Sequence, residues 1–313
     1  MPQPTLGQTR VIDPMLTAVA RGFRAQRASV ADALFPIVTV AARAGRIMSF
    51  GPDDFKLVNT VRAPGAGTKR VQFGYSSESF ALVDHRLEGC VPVELQEEAR
   101  AVPGIDLASN AISRVKNLMT LEREKLAADL ARNAAKYDAS NKKTLSGTGQ
   151  WSHASSDPFA DIGAAKEAVR SKTGERPNVL TLGPKVLSAL RSHPLVLARL
   201  NIANDKTPAT LLQLQALFEV AQIIEGEAIY HDGTSFKDVW GQDAILAYTT
   251  PASMQEMGSP NFGYTYQLAG RPMVEQAYFG DNENTWYYPY TDAYQPVLAG
   301  ASAGYLFTNA AAA

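Results

Sequence analysis

The sequence has little of what disulfide bonding, export or membrane insertion would need. Its 313 residues include one cysteine, Cys90, which excludes an intramolecular disulfide framework and any multi-cysteine metal site. There is no run of about 18 apolar residues and no signal-peptide pattern at the start. The formal net charge is −1, without the basic surplus of a dedicated nucleic-acid binder. We therefore expect a soluble protein, without a membrane partner, that folds by packing alone in a reducing compartment.

Motifs for catalysis are equally scarce. The histidines form no HExxH pair, and no GxSxG nucleophile elbow occurs. Cys90 lies at the end of a β pattern without a supporting signature, which favours a buried or half-buried structural cysteine. His193 and His153 have the sequence contexts of exposed or capping residues. The sequence thus predicts no catalytic, cofactor-binding or metal-binding residues, and a protein that is not an enzyme.

One stretch, "VLTLGPKVLSAL" at 179–190, looks like a nucleotide-binding loop because an apolar strand enters a helix through Gly183 and Pro184. A dinucleotide loop needs GxGxxG and a P-loop needs GxxxxGK followed by Ser or Thr, whereas this stretch has one glycine. Pro184 also removes an N–H group that would bind a phosphate. A scaffold strand and helix are favoured, and an α/β enzyme that uses the Gly183 turn is the alternative.

Two regions before residue 100 are not built like independent domains. Residues 1 to 50 are broken by prolines and glycines and predict an arm that buries little in its own subunit. Its arginines, which include Arg21, Arg24 and Arg27, exceed its acidic residues by four, so it binds protein surfaces or nucleic acid. From 58 to 93 a period of two predicts a β-ribbon, with alternating apolar residues at Val71, Phe73, Tyr75, Phe80 and Leu82. A ribbon of two strands is marginal alone and must lie on another surface.

The rest of the chain mixes helical and strand patterns. Apolar residues three or four apart predict a helix from about 106 to 137, about 45 Å long. Asp157, Pro158 and Gly174 mark the N-cap, first position and end of a second helix. Another helix is expected after Thr207 in "PATLLQLQALFEV". The block "TWYYPYTDAY" at 285–294 favours sheet packing or an interface over a carbohydrate or peptide groove. The fold class is α+β.

This order of parts resembles the major capsid proteins of tailed bacteriophages. The similarity extends to several stretches: "VADALFPIVTVAARAGRIMSFGPDDF" (30–55), "KRVQFGYSSESFALVDHRLEGCVPVE" (69–94), "DPFADIGAAKEAVRSKTGERPNVLTLGPKVLSALRSHPLVLARL" (157–200), "FGYTYQLAGRPMVE" (262–275) and "AGASAGYLF" (299–307). The family's fold, the Hong Kong 97-type capsid fold, is shared with encapsulins and the herpesvirus capsid floor. The resemblance implies an N-terminal arm at 1–50, an extended β-hairpin loop at 51–99, a peripheral domain with the long spine helix at 100–154 and 269–313, and an axial α/β domain at 155–268.

The resemblance also implies a function. The chain would self-assemble into hexamers and pentamers of an icosahedral head that encloses double-stranded DNA, contacted non-specifically. Candidate contacts between subunits are Arg21, Arg24 and Arg27 in the arm and Phe73, Tyr75, Phe80 and Leu82 in the ribbon. No long scaffolding extension precedes the arm, so assembly would need a separate scaffolding protein or a cleaved precursor. The expected partners include that scaffolding protein, a portal and a decoration protein. Assembly would occur in the host cytoplasm and the product would be the virion. An encapsulin-like compartment shell is the alternative.

Overall fold

The computed structural model describes residues 29–47, 57, 60–62, 70, 78–100, 106–200, 207–250 and 260–312. Its helices, in chain order, are α1 (Val30–Leu34), α2 (Val93–Arg100), α3 (Leu107–Ala131), α4 (Pro158–Thr173), α5 (Pro184–Ser192), α6 (Pro194–Arg199) and α7 (Leu211–Phe218). Short 3-10 turns lie at Ala134–Lys136, Ala139–Asn141, Gly147–Gly149 and Ala301–Ala303.

The strands fall into four sheets. In chain order they are β1 (Ile37–Val40), β2 (Ala44–Ile47), β3 (Glu78–Ala81), β4 (Val83–Pro92), β5 (Lys142–Thr144), β6 (Val179–Leu182), β7 (Gln222–Glu225), β8 (Ile229–His231), β9 (Phe236–Asp238), β10 (Ala244–Ala247), β11 (Gly263–Leu268), β12 (Met273–Val274), β13 (Tyr278–Gly280), β14 (Thr285–Leu298) and β15 (Gly304–Thr308). Two of the sheets are the small pairs β2–β3 and β8–β9. The α+β class predicted from the sequence is confirmed.

A five-stranded sheet in the order β5-β15-β10-β6-β7 forms the first core. Because side chains alternate between the faces of a strand, β6 sends Leu180 and Leu182 into the cluster under α4 and α5. Val179 of the same strand points the other way, into a cluster that includes residues of α1 and α3. Both faces of the sheet are thus covered, which explains why β6 is apolar at almost every position.

A six-stranded sheet is organised around β14, the longest strand described. β14 pairs antiparallel with β4 over ten residues and with β11 over five, and also with β12 and β13, while β1 lies parallel to β11. Its tyrosines Tyr288 and Tyr290 are buried against Ile112 and Val115 of α3. The prediction that the Tyr-rich block serves packing is confirmed. The strand β4, at the end of the predicted ribbon, is itself part of this sheet, and β3 pairs with β2 and not with β4.

Helix α3 joins the two cores, and we call it the spine helix. Its first half packs on the six-stranded sheet, whereas Ala127, Ala128 and Ala131 near its end pack beside the five-stranded sheet. Asp106 caps its start by accepting hydrogen bonds from the N–H groups of Ala108 and Ser109. The spine ends at Ala131, earlier than the predicted 137, because the chain turns into the 3-10 helix that Asn133 caps.

Local cap signals set the other helix ends. Asp157 accepts hydrogen bonds from Phe159 and Ala160, and Gly174 ends α4 with a φ of 75°, so the predicted helix is confirmed at both ends. The helix expected after Thr207 begins only at Leu211. Thr210 and Gln213 form a capping box there, and this sets the start of α7 three residues beyond Pro208.

The expectation that residues 1 to 50 bury little in their own subunit is wrong for the part that the structure describes. Val30, Ala31, Leu34, Phe35 and Val38 are all at most 2% exposed. The ring of Phe35 lies 5.4 Å from that of Phe262, and β1 is a strand of the six-stranded sheet. Residues 29–40 are therefore part of the fold, because their apolar side chains complete a core that the spine helix leaves open.

Two strands lie in a different sheet from the one that the predicted boundary at residues 268 and 269 implies. β11 precedes residue 269 and lies in the six-stranded sheet, whereas β15 follows it and lies in the five-stranded sheet between β5 and β10. The placement of β15 brings the end of the chain back to the central core. The boundaries of the arm, loop, peripheral and axial domains stay a prediction.

Candidate assembly surfaces

The Gly183 turn, which resembles a nucleotide-binding loop in sequence, packs against the backbone of residues 241–243. A Cβ on Gly183 would lie 1.9 Å from the carbonyl oxygen of Gly241, so only glycine allows this close approach of two backbones. The N–H of Gly183 is bonded to the carbonyl of Asp243. The N–H of Gly183 is thus already bonded within the protein, and Pro184 has no N–H to offer a phosphate. The turn is a scaffold element.

The residues that the structure describes hold no cluster of His, Cys, Asp and Glu arranged as a metal site. His193 is 2% exposed and caps α6 by accepting a hydrogen bond from the N–H of Leu195, as its capping context predicts. In the same part of the chain, no helix is both long enough and apolar enough to span a membrane. The candidate functional features are therefore surfaces and the joints that position them.

The first such joint holds the root of the arm on the spine helix. The Glu124 carboxylate accepts hydrogen bonds from the hydroxyl of Ser29 (2.7 Å) and from the N–H groups of Val30 (3.0 Å) and Ala31. The Trp240 indole N–H donates to the same carboxylate at 2.8 Å. One residue earlier on the helix, Arg123 pairs with Asp32 at 2.8 Å.

The ribbon strand β4 has two different faces because it is extended. Gly89 and Val91 face the spine helix, and a Cβ on Gly89 would lie 3.0 Å from Ala111. Leu87 on this face stays 39% exposed beside Leu118 of the spine, which is 58% exposed. Together with Met119 they line an open groove between ribbon and spine. Asp84, His85, Arg86 and Glu122 also line this groove, so its exposed leucines lie among charged and polar side chains.

The opposite face of β4 carries Cys90, which is exposed. The prediction of a buried or half-buried cysteine is therefore wrong. Cys90 lies between Gly89 and Val91, which point to the spine, so the alternation of the strand turns its thiol outward. Opposite Cys90 in the ladder is Tyr287, whose ring stacks on that of Tyr278 at 5.2 Å.

A buried electrostatic cluster lies under the groove. His85 contacts Glu122 of the spine at 3.5 Å, and its ring lies against Tyr294. Asp292 sits opposite His85 in the ladder and accepts two hydrogen bonds from Gln267. Burial raises the pKa of Asp292, although the Gln267 bonds and the nearby charges of Arg123 and His85 act in the other direction. Burial likewise raises the pKa of the Tyr294 hydroxyl.

Other apolar side chains are left on the outside. Phe236 at the β8–β9 hairpin is 73% exposed, and Leu212 on α7 is 76% exposed. Tyr278 and Phe279 on β13 are also exposed. Single exposed apolar residues are ordinary on a protein surface, and a protein that assembles can cover them.

The structure describes two of the seven predicted contact residues. Phe80 is 7% exposed, and its ring stacks on Tyr266 at 4.2 Å within the subunit. Leu82 packs against the same cluster. Both hold the root of the ribbon on the six-stranded sheet, and Phe80 has little surface left for a neighbour. The other five lie outside the described residues: Arg21, Arg24, Arg27, Phe73 and Tyr75.

Sequence reasoning missed Glu124, Trp240 and the groove at Leu87 and Leu118. Glu124 interrupts no local pattern, since a glutamate is ordinary in a helix, and its partners lie 94 and 116 residues away. The apolar character of Leu118 was visible in the helical pattern. Its exposure depends on where the sheet ends, which the pattern does not give.

A long helix that packs on two sheets, with the ribbon strand β4 paired into the larger one, is the arrangement expected of a capsid-forming protein with the Hong Kong 97-type fold. The comparisons with known proteins agree. A model of the family "Phage major capsid protein E" matches residues 126–285. The major capsid protein of Burkholderia phage BcepMu is 34% identical over 312 residues, which cover 97% of this chain and 98% of that protein. The chain belongs to the phage major capsid protein family.

Solved structures show the same similarity. The crystal structure of a phage-related protein from Bordetella bronchiseptica is 40% identical, covers 97% of this chain and 99% of its own, and superposes with a TM-score of 0.81. The capsid of cyanophage P-SCSP1u shares the fold at 11% identity, with a TM-score of 0.57 over 91% of this chain and 89% of its own. The protein is thus a structural component of a phage capsid, it associates with copies of itself, and its place is the virion. The 34% identity with a phage major capsid protein favours the phage interpretation over an encapsulin-like compartment.

Proposed function

We propose that the chain forms the hexamers and pentamers of an icosahedral phage head that encloses double-stranded DNA, and that its role is structural and not catalytic. The observation that carries the proposal is the anchoring of residues 29–32 on the spine helix by Glu124 and Arg123. It gives residues 1–28 a fixed starting point from which to bind a neighbouring subunit. Symmetry repeats each such contact throughout a shell, so many small contacts add up to a stable particle.

The charge of the arm supports two kinds of contact. Residues 1–28 contain four arginines, Arg10, Arg21, Arg24 and Arg27, and one acidic residue, Asp13. Guanidinium groups bind carboxylates of a neighbouring subunit and phosphates alike. Contacts with phosphate groups carry no sequence information, as packaged DNA of any sequence requires. Phe73 and Tyr75 would supply the apolar contacts of the ribbon across an adjacent subunit, with Phe80 and Leu82 at its root.

The same proposal includes partners outside the chain. A separate scaffolding protein directs assembly in the host cytoplasm, a portal occupies one vertex, and a decoration protein binds the outer surface. The anchored root of the arm supports a role in assembly and does not identify these partners.

The test compares the full chain with a variant that lacks residues 1–28. A cut at residue 45 would remove Phe35 and β1 from the core, so only the shorter deletion separates assembly from folding. We expect closed particles in negative-stain electron microscopy when the full chain is produced together with its scaffolding protein, and folded but unassembled subunits from the deletion variant under the same conditions. Normal particles from the variant would contradict the role of the arm. Particles from phage-producing cells should protect double-stranded DNA from nuclease; an enclosed protein cargo without DNA would identify a compartment instead.

A further inference from the structure

The Glu124 carboxylate is an unusual feature of the spine helix because it is buried. Its residue is 5% exposed, and four donors from two distant parts of the chain satisfy it: the Ser29 hydroxyl, the Val30 and Ala31 N–H groups and the Trp240 indole. Burying a carboxylate is costly even when it is paired, and an apolar side chain of similar size often packs as well or better. Stability of the spine alone therefore does not account for a glutamate here.

The donors show what the carboxylate holds. Two of them are backbone N–H groups at the start of α1, so Glu124 fixes the main chain of the arm root and not only a side chain. Ser29 caps the same helix, with its hydroxyl accepting a hydrogen bond from the Asp32 N–H. Asp32 in turn pairs with Arg123, the neighbour of Glu124. Two adjacent spine residues, Arg123 and Glu124, thus bind residues 29–32 at both ends. We call these two residues and residues 29–32 together the arm clamp.

We infer that Glu124 is a positioning residue for assembly: through the arm clamp it sets the point and direction at which residues 1–28 leave the subunit. This rests on the proposed role of the arm in binding a neighbour. An arm that starts from an unfixed root must be ordered at the moment of contact, and that entropic cost weakens every contact it makes in the shell. The clamp orders the root of the arm when the subunit folds, so this entropy is not lost again when the shell forms.

The experiment uses variants that break the clamp from either side. Glu124→Gln keeps the size of the side chain but turns an amide group toward the donors. Ser29→Ala combined with Asp32→Asn removes the hydroxyl and the charge from the arm side and leaves the spine and Trp240 untouched. Asp129→Asn is the matched control, because it removes a carboxylate from an exposed pair with Lys125 on the same helix and leaves Glu124 and the arm contacts in place. All are made in the full chain.

Two readouts are measured on each variant. Hydrogen exchange of residues 30–38 in the unassembled chain reports the clamp, and that of residues 179–182 reports the central core. Electron microscopy reports the yield of closed shells. We expect both clamp variants to exchange residues 30–38 about tenfold faster, equivalent to about 1.4 kcal/mol, with the core unchanged and few closed shells. Asp129→Asn should keep slow exchange at 30–38 and form shells.

Three results would overturn the inference or its basis, and they are distinguishable. Normal shells from a variant with fast exchange at 30–38 would show that assembly does not need the clamp. Failed shells with unchanged exchange would show that Glu124 acts by another route. Normal shells from the deletion of residues 1–28 would remove the proposed role of the arm itself. Should Glu124→Gln not fold, the Ser29/Asp32 variant decides alone, since both of its substitutions lie at the surface of the clamp.

Discussion

His85 and Tyr294 lie ring against ring, with their centroids 4.1 Å apart and their planes 11° from parallel. This pair joins the ribbon strand β4 to the central strand β14 and covers the buried carboxylate of Asp292, which faces His85 across the ladder. The ribbon strand is held on β14 by a ladder of ten residue pairs, and this cluster of ionisable groups lies beside that ladder.

The first prediction concerns Asp292→Asn. Burial raises the pKa of Asp292 in the folded chain above its unfolded value. The stabilisation from binding this proton is thus fully present below the unfolded pKa and is lost as pH rises through the folded pKa. Relative to the Asn variant, the wild-type chain should gain free energy of unfolding between pH 7 and pH 4, on the order of 1 kcal/mol. Urea unfolding of unassembled chains at both pH values measures it. An equal difference at both would show that Asp292 is not the group responsible.

The second prediction is a contrast between two glycines. Gly183→Ala places a methyl group on the Gly241 carbonyl, so the backbones must separate, at a cost of about 3 kcal/mol or more. Gly163 lies inside α4 with open space around its Cβ position, so Gly163→Ala should stabilise by about 0.5 to 1 kcal/mol. Thermal unfolding of the two variants should shift the midpoint in opposite directions. A neutral Gly183→Ala would contradict the close approach.

The third prediction tests whether the arm root belongs to the core. Phe35 is fully buried, and Phe35→Ala should destabilise the unassembled chain by about 3 to 5 kcal/mol. Ile37, two residues on and 36% exposed, serves as the control, and Ile37→Ala should cost about 1 kcal/mol or less. Both free energies come from urea unfolding. If residues 1 to 50 were a detached arm throughout, neither substitution would change the stability.

The fourth prediction concerns Cys90. Because its thiol is exposed on the outer face of β4, it should react with a soluble disulfide reagent in the native chain at a rate within about tenfold of the unfolded chain. It is the only cysteine in the sequence, so Cys90→Ser should abolish the reaction completely. Reaction only after denaturation would mean that this face is covered in the subunit.

Much of the local structure followed from short patterns. Both ends of α4 were predicted correctly from Asp157, Pro158 and Gly174. Helix caps depend on backbone groups within one turn of the chain, so a short pattern is enough. The apolar spacing of the spine predicted its start closely but not its end, where Asn133 redirects the chain. The capsid family was also predicted, from the order of the parts and from several stretches, and the comparisons confirm it.

The candidate surfaces were harder to predict. Phe80 was correctly placed in a strand, whereas Leu82 lies between β3 and β4. A β pattern also does not say whether a strand's apolar face meets its own subunit or a neighbour. The same is true of Cys90. The alternation of a strand predicts two faces, but only the position of the spine helix decides which face is buried. The contacts of Glu124 had no local signal at all.

The sequence by itself determined the composition, the caps, the period of each element and the absence of familiar catalytic motifs, all of which depend on residues close together in the chain. Only the tertiary structure decided that residues 30–38 complete the core, that β15 returns between β5 and β10, and that Glu124 grips a segment 95 residues away. The physical reason is that these contacts join distant parts of the chain. Their energies depend on how whole sheets and helices come together, and short-range propensities do not contain that information.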